Sequence, residues 1–307
     1  MEGEGGGFFV FSRRDSVWRY WDIWTHEPPP FHRTCDRIKA PAPPLPLHLP
    51  FVIFSFLFYT PAPMTPTTHH PADVHTASSE YAARFSGPAG RWMLSLQERI
   101  VLRRIAPYTG GTVLDVGGGH GQLALPLAER GWDVTVLGSG PDAQSDAVRA
   151  AASAGRLRYA TGDLLALPYP DRSFDIVLCF RLLTHCDEWP RLAAELCRVA
   201  RRAVIVDYPT GQSLNCITPA LFGAKKRIEG NTRTYTLFRH RDLAVAFAAH
   251  AFCRTALDKQ FFLPMVLHRM LKCPPLSRLA EFPFRVLGLT ALLGSPVIAR
   301  FERTDNA

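Results

Sequence analysis

Asp115 and the glycines after it are the residues whose types and spacing point most directly to chemistry. In "LDVGGGHG" (Leu114–Gly121) the acid stands two residues before Gly117, and Gly117, Gly119 and Gly121 alternate behind it. An apolar run leads into this turn and a helical pattern, "HGQLALPLAERG", leads out of it. Glycines at a strand-to-helix turn adopt backbone angles closed to other residues. They also let the main chain approach a ligand closely and aim the helix N-terminus at it. Such a turn suits a nucleotide cofactor. "GHGQLA" (Gly119–Ala124) also satisfies the dinucleotide pattern G-x-G-x-x-G/A. That pattern is a weak signal by itself, so the glycines leave the cofactor open.

The elements that must position this turn follow from periodicity. "RWMLSLQERIVLRRIAP" reads as a helix with Met93, Leu96, Ile100, Val101 and Ile105 near one face, ending at Pro107. "GGTVLDVGGG" is a short buried strand. The helix after it should end at Gly131 and carry Pro126 in its first turns. Next come a strand at "WDVTVL", a helix in "DAQSDAVRAAASAG", strands at "LRYAT" and "SFDIVLCF", a helix at "WPRLAAELCRVA" and a strand at "RAVIVDYP". This alternation predicts an α/β fold, a doubly wound and mostly parallel sheet with helices on both faces. A further helix is expected in "TRTYTLFRHRDLAVAFAAHAF", with strands at "ALDKQFFLP" and "SPVIARFER". Between those strands lies a C-terminal helical insertion, "MVLHRMLKCPPLSRLAEFPFRVLGLTALLG", apolar with Arg and Lys among its leucines.

Two more segments narrow the choice: "TGDLLALPYPDRSFDIVL" and "FRLLTHCDEWPRLAAELCRV" follow the glycine turn in order. Together the three motifs resemble the class I S-adenosylmethionine-dependent methyltransferases, specifically the type 11 methyltransferase domain. The resemblance covers about Tyr81–Tyr208 and is strongest over Val113–Val206. It implies a Rossmann-like, seven-stranded sheet, S-adenosyl-L-methionine as cofactor, and methyl transfer as the activity. It also implies that Asp115, Gly117, Gly119 and Gly121 line the methionine end of the cofactor. Asp163 would accept from the adenine amino group, with the Leu164 main chain beside the ring. The main chain at Phe180 and Arg181 would pass the cofactor's amino group. Tyr81 and Arg84, in "SEYAARF", resemble a leader that folds over the cofactor, Arg84 pairing with its carboxylate.

The chain departs from the family pattern in two places. "CRVARRAVIV" lacks the "PGG" turn usual before the last parallel strand. More important, Gly138 stands where a ribose-gripping Asp or Glu is usual. Ser139 and Asp142 are close by, but "SGPD" fits a helix-capping pattern with Pro141 in the first turn, and capping is their expected role. The ribose would then be held by water or main chain, and Gly138→Asp should tighten cofactor binding by about 1–2 kcal/mol.

A sulfonium methyl donor is already activated, so the protein must mainly align the nucleophile, methyl carbon and sulfur. A general base helps where the nucleophile is a hydroxyl. His185, in "LLTHC", is the candidate base, with packing beneath its loop as the competing use. Tyr208, Tyr235 and His268 are further substrate-side groups. The insertion suits a lid over a small apolar or amphipathic acceptor, lipid-like or quinone-like, or else helices packed on the sheet edge. An NADP-dependent oxidoreductase, which the acid-free "GSG" would suit, and a non-catalytic binding module are the alternative readings.

Composition sets the outer bounds. The formal net charge is +8, and residues 201–307 hold sixteen basic side chains against seven acidic ones. That surplus favours an anionic partner or simply solubilises the surface. Its arginines lie among leucines rather than exposed aromatics, so a nucleic-acid partner is not expected. The seven cysteines form no C-x-x-C pair and no metal-ligand spacing, which reads as reduced thiols in a cytoplasmic protein with no metal. "FVIFSFLFY" (Phe51–Tyr59) is far shorter than the roughly 20 residues a transmembrane helix needs, though peripheral membrane contact stays open. Residues 1–63 are proline-rich and lack any sustained period, and the texture changes at Met64. Met64 therefore reads as the natural start, with 1–63 as non-native upstream sequence or a disordered extension. A helical leader over 64–110, a cofactor-binding core over 111–210, and sheet completion with the insertion over 211–307 follow.

Overall fold

The computed structural model describes residues 73–74, 82–108, 110–213 and 236–304. Tyr81, Tyr235 and the segment 1–63 lie outside the described residues.

Seven strands form one sheet in the order β3-β2-β1-β4-β5-β7-β6. They are β1 (Thr112–Val116), β2 (Asp133–Gly138), β3 (Arg158–Thr161), β4 (Phe174–Cys179), β5 (Ala200–Tyr208), β6 (Phe252–Phe261) and β7 (Ser295–Arg303). β7 runs antiparallel to both of its neighbours, and the pairs among β1 to β5 are parallel. The expected doubly wound sheet is present.

Alternate residues of the central strands feed two apolar layers, as a period of two requires. Leu114, Val177 and Val204 pack on one face with Leu192 and Leu196 of α4 (Trp189–Val199) and Phe247 of α5 (His240–Ala248). Val113, Ile176 and Ile205 pack on the other face. Their partners are Ile100, Val101 and Ile105 of α1 (Gly87–Ile105), Leu127 of α2 (Ala124–Glu129) and Val148 of α3 (Asp146–Ser153). Pro126 is the third residue of α2, where a missing N–H costs nothing. Gly131 closes that helix at φ +84°, its N–H reaching the Ala128 carbonyl at 3.0 Å.

The capping expectation for "SGPD" is wrong. Pro141–Ala143 forms a separate short turn, and the cap of α3 is Ser145, whose Oγ accepts from the Val148 N–H at 3.4 Å. Ser139 is left at the end of β2, free of that duty.

Between the edge strand β6 and β7 the chain forms α6 (Met265–Leu271), α7 (Pro274–Val286) and α8 (Leu289–Leu293). One buried acid fastens them: Glu281 accepts from the Phe262 and Leu263 N–H groups at 3.0 and 2.9 Å and meets His268 Nε2 at 3.0 Å. His268 in turn packs against Trp92 and Phe261. The outer surface of these helices keeps Leu276, Leu279, Val286 and Leu287 exposed. Among the described residues no helix is long and apolar enough to cross a membrane. Cys179, Cys186, Cys197 and Cys273 are free, but Cys253 is disulfide-bonded, which corrects the expectation of reduced thiols throughout.

Candidate functional site

The C-terminal ends of β1, β4 and β5 converge on the glycine turn. Asp115 is 2% exposed, registered between Val136 of β2 and Leu178 of β4. Its Oδ1 is buried and receives no hydrogen bond from the described residues. Burial pushes its pKa up to about 7, with the charge of Arg181 pulling the other way. Gly117 sits at φ +71°, and a Cβ there would lie 2.9 Å from Leu182 Cδ2. The tightest position is Gly118, which sequence reasoning passed over: a Cβ there would lie 2.1 Å from the Asp115 carboxyl carbon. Gly119 is buried, and its carbonyl accepts from the Ser145 N–H at 2.7 Å, tying the turn to the cap of α3. Gly121 lies at φ +69° with no room for a side chain beside Val148 and Leu125. A side-chain-free cradle over a buried acid whose Oδ1 receives no hydrogen bond from the described residues fits a cofactor that brings main-chain-accessible polar groups and a positive charge.

A polar bridge braces this cradle. Arg181 follows β4 at φ 59°, and its N–H donates to Asp207 Oδ1 near the end of β5. Asp207 Oδ2 accepts from Gln97 Nε2 of α1 at 3.0 Å, and Gln97 Oε1 accepts from Gln122 Nε2 in the turn. Burial raises the Asp207 pKa to about 6. Asp207 and Gln97 were not among the expected site residues. Both carry a legible signal, an uncharged or acidic polar residue inside an apolar pattern, as Asp115 does. The Arg181 guanidinium lies over the Phe85 ring, 5.4 Å from its centre, so the segment before α1 does reach this end of the sheet. Arg84 is half-buried in the same turn, and Phe180 is 5% exposed.

Asp163 is exposed beyond β3, where its Oδ1 accepts from the Leu165 N–H at 2.8 Å, while Leu164 packs against the core. His185 ends the short turn Leu183–His185 after β4 and is half-buried. Tyr208 and His268, expected as substrate-side groups, are both enclosed and partnered within the fold. Tyr208 is 1% exposed with its hydroxyl against His240 Nδ1 at 2.9 Å, and His268 is wholly enclosed against Glu281.

The end of β2 is built differently. A Cβ on Gly138 would lie 2.2 Å from the Tyr159 hydroxyl oxygen and 3.0 Å from Ala143 Cβ. The place of the missing acid is filled by Tyr159, whose hydroxyl donates to the Gly140 carbonyl at 2.7 Å. A carboxylate is nonetheless present, from far upstream. Asp73 is fully buried, and its Oδ2 accepts from the Ser139 N–H at 2.6 Å.

Residues 114–206 match the family described as "Methyltransferase domain". A demethylmenaquinone methyltransferase of Deinococcus radiodurans is 38% identical over 122 residues, covering 38% of this chain and 48% of the relative. A malonyl-[acyl-carrier protein] O-methyltransferase of Serratia marcescens is 31% identical over 134 residues, covering 42% of this chain and 51% of the relative. The chain thus spans about half the length of these relatives. The magnesium protoporphyrin IX methyltransferase of Synechocystis PCC 6803 with bound SAH superposes at a TM-score of 0.53 and 15% identity, covering 75% of this chain and 96% of that one. That likeness is one of fold. With the cradle, the strand order and the matched segment together, residues 114–206 form a methyltransferase domain of the class I S-adenosylmethionine-dependent family.

Proposed function

We propose that this protein transfers a methyl group from S-adenosyl-L-methionine to a small apolar or amphipathic acceptor. The observation that carries the reading is the cradle at the end of β1: positive-φ glycines over a buried Asp115 whose Oδ1 receives no hydrogen bond from the described residues. S-adenosylmethionine supplies a methyl group already activated on a sulfonium. The chain's share of the work is to hold and orient. Asp115 and the main chain at Gly117–Gly121 would take the amino-acid end, Asp163 and Leu164 the adenine, and the main chain of Phe180 and Arg181 the amino group. Arg84 and Tyr81 belong to the leader that would cover them. His185, on the loop after β4, is the candidate base for a hydroxyl acceptor.

Two observations support an apolar acceptor. The insertion exposes large side chains, with Leu279 at 68% and Leu287 at 71%, and exposed patches of that kind mark binding surfaces more often than chance. A relative named as a demethylmenaquinone methyltransferase supports a quinone-like acceptor.

Titration calorimetry with S-adenosylmethionine and with NADP tests the first half. Binding of the former alone is expected; binding of NADP alone would replace methyl transfer with hydride transfer. Radiolabelled methyl transfer to a short-chain demethylmenaquinone analogue, compared with a water-soluble catechol, tests the acceptor class.

A further inference from the structure

The crevice between the ends of β1 and β2 contains a carboxylate that neither strand supplies. Asp73 Oδ2 is anchored on the first N–H beyond β2, that of Ser139, at 2.6 Å. The Asp73 Cβ lies 3.5 Å from where a Gly117 Cβ would be, so the side chain spans from one strand end to the other. Burial, with the charge of Asp73 second to it, pushes the pKa of Tyr159 of β3 up to about 12. The side-chain Oγ of the same Ser139 is buried with no hydrogen-bond partner among the described residues.

A nucleoside bound over the glycine turn must place its ribose hydroxyls in this crevice, and two vicinal hydroxyls call for a charged acceptor there. Gly138 cannot provide one, and Tyr159 blocks any side chain that might. A carboxylate has about four acceptor positions, and the two hydroxyls of a ribose are donors suited to them. We infer that Asp73, delivered from the segment before the domain, is the acid that accepts from the ribose diol of the cofactor, with Ser139 Oγ beside it. The inference rests on the cofactor reading above. It assigns to the upstream segment a role in recognition, beyond covering the site.

The test uses the full chain, S-adenosylhomocysteine and its 2′,3′-dideoxy analogue, with affinities read by calorimetry. The parent protein should prefer the intact ribose by about tenfold or more, the scale of hydrogen bonds to a charged group. Asp73→Ala should weaken S-adenosylhomocysteine by a similar factor and leave the dideoxy analogue unchanged, so that the preference collapses. Unchanged analogue binding also shows that the variant folds. Asp73→Asn, which keeps one acceptor oxygen, should fall between. If Asp73→Ala keeps the full preference, another group holds the ribose and the inference fails. If Asp73→Ala binds S-adenosylhomocysteine more tightly, the Asp73 side chain competes with the cofactor and the inference also fails. A parent protein that binds neither compound overturns the cofactor reading itself, a result seen before any substitution is made.

Discussion

β1 and β2 lie side by side in register, and their C-terminal ends are built on opposite plans. At β1 the acid stands on the strand, two residues before the turn it serves, and the backbone around it has been cleared of side chains. At β2 the strand ends in a glycine whose open side is filled from β3 by Tyr159, and the carboxylate arrives from a residue 66 positions before its anchor. One end encodes its chemistry locally; the other receives it through space. The first tolerates no added atom, because its function is in the backbone. The second tolerates no added atom either, but only because a neighbouring side chain has taken the room.

The sharpest test of the first plan is Gly118→Val. Its Cβ would meet the Asp115 carboxyl group at 2.1 Å, so either the acid or the turn must move. Cofactor binding should fall by about a hundredfold or more, roughly 3 kcal/mol. Normal affinity in a folded Gly118→Val would place the cofactor elsewhere. Asp115 itself gives an effect on stability with a defined sign. Unfolded, it loses its proton near its ordinary value of 3.8; folded, it keeps it to about 7. Between those values the folded state binds more protons, so its contribution to stability is present below about pH 4 and lost as pH rises through 7. The loss is on the order of 4 kcal/mol when complete. In ligand-free protein Asp115→Asn should therefore melt above the parent at pH 8, with the gap closing toward pH 4. A gap that does not change with pH would mean the acid is charged in the folded protein throughout. Cofactor binding that requires the carboxylate should tighten as pH rises through about 7 in the parent and lose that dependence in Asp115→Asn.

The same contrast explains what the sequence disclosed. The succession of strands and helices, the cradle and the acid at Asp115 were legible because each lies within a continuous segment whose period or spacing declares it. The brace was half legible: Asp207 in "VIVDYP" and Gln97 on the apolar face of α1 are polar residues in apolar patterns, but nothing in the chain says that they meet. Asp73 was not legible at all. "HHPADVHT" has no period, and a contact across 66 residues leaves no local mark. The capping assignment for "SGPD" failed for a related reason: the pattern matched, but Ser145 six residues later offered a cap at the point where the helix actually begins.

Gly138→Asp carries the smallest effect and separates the two plans most cleanly. From spacing alone it should restore a missing acid and tighten binding. The position of Tyr159 reverses that expectation, since the new Cβ would sit 2.2 Å from the phenol oxygen and 3.0 Å from Ala143. To admit it, Tyr159 must leave its bond to the Gly140 carbonyl, at an overpacking cost of about 1–3 kcal/mol. A domain of this size should then melt lower by about 2–4 °C for each kcal/mol, with no gain in cofactor affinity. The new carboxylate would also stand beside Asp73, and two like charges in one crevice oppose each other. Pairing Gly138→Asp with Tyr159→Ala frees the space and leaves only that repulsion. The double variant should regain affinity when Asp73→Ala is added, because the crevice then holds one acid again, supplied by the strand instead of the leader. If Gly138→Asp alone melts like the parent and binds more tightly, Tyr159 yields without cost and the end of β2 is an ordinary strand end awaiting its acid.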